Sequence, residues 1–164
     1  MKGVREPLLW IALASLLAFL PFSTVALPVS AALALSIQCL LRTRLGSHAR
    51  PALLVALVAA WFTCVLHASL LAPHTSSFLL HRLAELGMPV ALLALASALS
   101  RMADIAALEE SALWLSGVRV LFLGGLGFDL ATSGGGFVIQ FLACPVFAIL
   151  VLRMRATIAL EGSR

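Results

Sequence analysis

In the stretch LGGLGFDLATSGGGFVIQF, Leu123 to Phe141, a single carboxylate, Asp129, stands among glycines and apolar side chains. An ionisable group inside such a run is costly in lipid and marks a candidate site by default, unless it lies at the water edge and is solvated. Arg119 precedes it by ten residues, about 15 Å along a straight helix, so the two cannot pair within that helix. Standing about two turns beyond Ser111, Arg119 is expected to snorkel toward the nearer membrane face. Gln140, on the far side of the ATSGGG turn, is a further polar candidate. His74 is the fourth, with His67 and His81 seven residues to either side. Seven helical residues rise about 10.5 Å, too far for neighbouring histidines to share one ion, and Pro73 interrupts the helix, so no metal is expected. A histidine cluster that titrates near neutral pH is the better reading of that spacing. The chain has no GxSxG elbow, HExxH helix or P-loop, so neither a serine nucleophile nor a cofactor is expected.

The elements that must position these groups are membrane helices. Of 164 residues, 62% are hydrophobic and 11% charged, whereas a soluble domain carries about 25% charged residues. Pro7 to Leu41 and Pro51 to His81, 35 and 31 residues, contain no Asp, Glu, Lys or Arg. About 20 apolar residues cross a bilayer as a helix. The apolar runs are continuous rather than alternating and rich in Leu and Ala, which excludes a β-barrel pattern and favours helix. The expected fold is therefore all-α, a single polytopic helical bundle with spans near 8–20, 22–41, 51–72, 86–101, 112–130 and 137–152. A helix of 35 residues would be about 52 Å long, so the first run must break, and Pro21 and Pro28 are the expected breakers. A hairpin there gives six spans, and a span plus an interfacial segment gives five.

The net charge of +4 comes from basic residues scattered at the ends of apolar runs, which orients a protein in a bilayer and does not form a nucleic-acid surface. With the 42–50 loop inside, 73–85 falls outside, 101–110 inside, 131–136 outside and the tail inside. Nine of the eleven basic residues then lie at the cytoplasmic side, leaving Arg82 outside and Arg119 in the membrane. The expected location is a bacterial inner membrane with a cytoplasmic C-terminus. Cys39, Cys64 and Cys144 share no CxxC spacing and are expected to be small buried packing residues. Gly124, Gly125 and Gly127 are expected to let helices approach closely.

The glycine-rich stretch resembles a segment of the bacterial lipoprotein signal peptidases, which are intramembrane aspartic peptidases. Gly124, Leu126, Gly127, Gly136, Phe137, Val138 and Phe141 fall in register without a gap. PVFAILVL, Pro145 to Leu152, is similar to that family's second block, and HTSSF, His74 to Phe78, to a shorter element, so the resemblance covers about residues 74–152. It implies an intramembrane helical fold with a peptide or lipid ligand. It also implies a loss: the two catalytic aspartates align with Ala131 and Val151, and Phe128, Thr132, Gln140 and Ala148 replace other family residues. An aspartic dyad needs one carboxylate as base and one as acid. Alanine and valine can be neither. Asp129 lies about 200° around the helix from Ala131, and a substitute partner would have to be Glu85 or Glu161. The sequence thus points to a pseudoenzyme that binds a lipid-modified or transmembrane peptide, lipid, or a partner membrane protein. A divergent peptidase acting on lipoprotein precursors is the first alternative. The second is a small transporter or channel subunit with Arg119 and Asp129 along a polar path.

Overall fold

The computed structural model describes residues 2–18, 23–71, 78–132 and 136–161. These form helices α1 (Lys2–Leu17), α2 (Ser23–Leu41), α3 (Arg44–His48), α4 (Arg50–Leu70), α5 (Phe78–Ile105), α6 (Glu109–Thr132) and α7 (Gly136–Glu161). No strand occurs among the described residues. Four helices are long and apolar enough to cross a membrane: α4, α5, α6 and, within α7, Val138–Leu160. The chain is an all-α membrane bundle. In lipid a helix satisfies its backbone polar groups within its own segment, which leaves the packing of side chains to decide the arrangement.

Apart from the five-residue α3, each helix packs on its predecessor: α2 on α1, α4 on α2, α5 on α4, α6 on α5 and α7 on α6. The circuit closes because α7 also packs on α1. Arg155 Nε on α7 donates to the Arg5 carbonyl of α1 at 3.0 Å, and Arg153 pairs with Glu110 at the start of α6 at 2.8 Å. Gly3 of α1 lies against Thr43. One end of the bundle therefore gathers the start of α1, the turn before α4, the α5–α6 turn and the end of α7. Lys2, Arg5, Arg42, Arg44, Arg50, Arg101, Arg153 and Arg155 all fall there, and it is called here the basic end.

The interior is built from one face of each helix. Leu8 and Ile11 of α1, Leu33 and Ile37 of α2, Leu95 and Leu99 of α5, and Val151 and Met154 of α7 are almost wholly buried. Phe122 of α6 meets Phe147 of α7 edge-to-face, with centroids 5.8 Å apart at 78°, a geometry favoured by the ring quadrupoles. Helix α5 is the most enclosed, 67% of its apolar window being buried against 33% for α4 and α6. Its Gly87 sits directly on the hydroxyl of Thr63 of α4, and its Ser100 hydroxyl donates to the Ala112 carbonyl of α6 at 3.1 Å.

Several sequence expectations are corrected. The first apolar run breaks between α1 and α2, in a segment holding Pro21, whose own position lies outside the described residues. Pro28 does not break the chain; it is the sixth residue of α2. So close to a helix start, a proline forfeits a single backbone bond while its fixed φ suits the helix. The 101–110 linker shrinks to Ala106–Leu108, because α5 continues through Arg101 and Asp104. Charges do not end a helix once it reaches water. The turn is closed instead by Ala107 at φ 57°, with the Leu108 amide donating to the Ala103 carbonyl at 2.9 Å. For the same reason α5 begins at Phe78 and takes in the polar residues up to Glu85. Of the cysteines only Cys144 is a buried packing residue, while Cys39 is exposed on α2 and Cys64 is half-buried.

Candidate functional site

The α6–α7 hairpin carries three of the four polar candidates. Its register is set where Gly125 faces α7: a β-carbon there would lie 3.3 Å from Ile139 Cγ2 and 3.4 Å from Gln140 Cγ. Glycine permits that approach, and a larger residue would push the helices apart. One turn further along α6, on the same stripe, Asp129 is buried with 9% exposure. The simple reading of Asp129 as an exposed, solvated group at a helix end is therefore corrected. No hydrogen bond or ion pair to the described residues holds its carboxylate. Since Gly125 faces residues 139 and 140, the antiparallel register sets Asp129 level with the first turn of α7. A negative group is favoured beside a helix start.

Gln140 is half-buried, and its amide Nε2 is enclosed without an acceptor among the described residues. A buried polar atom left unpaired in this way costs about 1–3 kcal/mol. Arg119 belongs to a different surface. It is exposed on α6, has no ion pair among the described residues, and stands about 15 Å along the axis from Asp129. The structure does not bring Arg119 and Asp129 together. His74 lies outside the described residues. His67 Nδ1 donates to the Thr63 carbonyl of its own helix at 2.8 Å. His81 is exposed on α5, 3.7 Å from Glu85, which Arg82 also holds at 3.0 Å. Among the described residues no three His, Cys, Asp or Glu side chains converge as metal ligands.

The two positions aligned with the peptidase aspartates are far apart. Ala131 is exposed in the last turn of α6, whereas Val151 is fully buried fifteen residues into α7, about 22 Å from the turn. Carboxylates at these seats could not share a proton. Glu85 is engaged by Arg82 and His81 on α5, and Glu161 ends α7 about 38 Å from its start.

A feature that sequence reasoning passed over lies on the outward side of α6. Of the glycines expected to serve helix packing, Gly125 does so inside the bundle, but a β-carbon at Gly124 or Gly127 would meet nothing within 4 Å, and the same holds at Gly117. Gly117, Gly124 and Ala131 recur every seven residues and so fall nearly in line, drifting about 20° per repeat. Val120, 68% exposed, and Leu121, 45% exposed, border this notched strip. The seven-residue spacing was the available signal; which way the strip faced was not. No family model matches the chain, and no curated protein or solved structure matches it either.

Proposed function

We propose that this chain is a non-catalytic protein of the bacterial inner membrane that crosses the bilayer six times and binds a transmembrane segment along the outward face of α6. The observation that carries this reading is that face itself. Gly117, Gly124 and Gly127 leave open notches on a helix long and apolar enough to span. Apolar surface in lipid has no hydrophobic drive to associate; close backbone contact across small residues and polar contacts supply it. A second helix laid into the notches gains that contact. Gathering of basic residues at one end supports the orientation, with that end and the C-terminus in the cytoplasm.

The resemblance to lipoprotein signal peptidases supports a lipid-modified peptide as one form of the ligand, without requiring catalysis. Ala131 and Val151 supply no acid or base. The test is photo-crosslinking in membranes from positions 120 and 121, with Val58 on the outward side of α4 as control. A discrete protein or peptide adduct from α6 alone, abolished by Gly124→Leu in a folded chain, is the expected result. Adducts to lipid only would overturn it. So would cleavage of a lipoprotein precursor by the purified chain, lost in Asp129→Asn.

A further inference from the structure

The turn between α2 and α4 is more tightly built than a loop that merely carries charge. Thr43 Oγ1 donates to the Leu40 carbonyl at 2.7 Å and accepts the Gly46 amide at 3.0 Å. Gly46 is buried under the end of α2: a β-carbon there would strike the Leu40 carbonyl oxygen and lie 2.8 Å from its carbon. Ala49 is fully buried just beyond, and α3 also packs on α5. These contacts fix the backbone from both sides. Arg42, Arg44, His48 and Arg50 project from it, all exposed.

Their charges are unmatched. Elsewhere at this end Arg153 has Glu110 and Arg155 has the Arg5 carbonyl. Among the described residues Arg42, Arg44 and Arg50 have no ion pair, although Glu6, Asp104 and Glu109 share the basic end. No Asp or Glu occurs in the sequence between Glu6 and Glu85. Because α4 spans and begins at Arg50, the turn sits at the level of the lipid headgroups.

We infer that this turn is a seat for the phosphate of an anionic phospholipid, gripped by Arg42, Arg44 and Arg50 on a backbone held by Thr43 and Gly46. Three arginines carried on one rigid backbone turn suit the oxygens of a phosphate better than a single point charge does, because guanidinium forks match that geometry. Each basic residue near an anionic surface strengthens the interaction roughly fivefold. The inference is independent of the α6 face and stands or falls separately.

The purified full chain in neutral detergent, titrated with phosphatidylglycerol or phosphatidylcholine and read by native mass spectrometry, tests it. Wild type should retain phosphatidylglycerol in preference to phosphatidylcholine. Arg42→Gln with Arg44→Gln should weaken retention roughly 25-fold, two arginines at about fivefold each. Arg101→Gln with Arg155→Gln removes the same charge from the same end and should weaken it less than about fivefold. Thr43→Val keeps every charge but loosens the turn, and should lower the preference several-fold while the melting curve stays cooperative. Equal losses in the two double variants, an unchanged preference in Thr43→Val, or no preference in wild type would each overturn the seat. Displacement of the lipid by excess inorganic phosphate would overturn the lipid assignment in favour of a soluble phosphate.

Discussion

Replacing Gly87 with alanine puts one methyl group into the tightest helix contact of the bundle. Its β-carbon would collide with the Thr63 hydroxyl and lie 3.2 Å from the Thr63 Cβ. Thr63 cannot easily yield, since it is wholly buried and its hydroxyl donates to the Ala59 carbonyl at 2.8 Å. Turning χ1 would break that bond and bring another substituent of the same branched carbon toward the intruder. Ala84 and Ala91, one turn to either side on α5, are also buried, so α4 and α5 must part along the seam. Overpacking of this kind costs about 1–3 kcal/mol. Alanine regains about 1 kcal/mol of helix propensity over glycine, which blurs the result of the single variant. Gly124→Ala regains the same propensity where a β-carbon meets nothing, so the difference between the two variants isolates the seam. That difference should be about 2 kcal/mol, or roughly 4–8 °C in melting temperature for a chain of this size. Thermal unfolding of both variants in one detergent measures it, and Thr63→Ala should restore most of the Gly87→Ala loss in a double-mutant cycle. Equal melting temperatures, or a Thr63→Ala background that leaves the Gly87→Ala defect unchanged, would refute the packing argument.

Two further outcomes follow from single strained positions. Ala107 holds a left-handed φ of 57° in the α5–α6 turn; Ala107→Gly relieves about 1 kcal/mol of backbone strain and should raise the melting temperature by a few degrees. In the hairpin, Gln140→Leu removes an enclosed amide with no acceptor among the described residues and should stabilise the detergent-solubilised chain by about 1 kcal/mol; destabilisation measured in the same assay would show that the amide has a partner.

The helical architecture was legible because the apolar runs are long, continuous and separated by charge or proline. What misled was the reading of single residues as boundaries. Pro28 was expected to break a helix that it instead joins near the start, where only one bond is at stake. Glu85 and Asp104 fall outside the 86–101 span that the sequence predicts, yet a helix emerging into water carries charges freely, and α5 runs from Phe78 to Ile105. The polar candidates were visible as residue types. The burial of Asp129 was not, because it depends on the antiparallel register set by Gly125 against Ile139 and Gln140, four residues away on one helix and across a turn on the other. Nor could sequence distinguish Gly125, which packs inside, from Gly124, which faces out one position away. A 100° turn between neighbouring helical residues separates the two roles completely.

The six-crossing reading rests on α1 and α2, since the other long helices qualify by length and apolarity alone. Helix α1 has 16 residues, about 24 Å, against a hydrocarbon core of about 30 Å. An interfacial helix of that length would lie flat, with one face on lipid and one on water. Here α1 is packed on α2 along one side and on α7 along the other, and Leu8, Ile11 and Ser15 are buried between them. The Ser15 hydroxyl donates to the Ile11 carbonyl at 2.7 Å, which satisfies it without water. Opposite these residues Trp10, Leu13 and Leu17 are exposed, an apolar outer face that suits lipid and not water. The bond from Arg155 Nε to the Arg5 carbonyl ties the start of α1 to the end of α7 at the basic end. An even number of crossings returns both chain ends to one side and keeps Lys2 and Arg5 with the other basic residues; an odd number would send them to the opposite side. Four helices qualify by length; the six crossings proposed above draw instead on the packing of α1, its apolar outer face and the placement of Lys2 and Arg5.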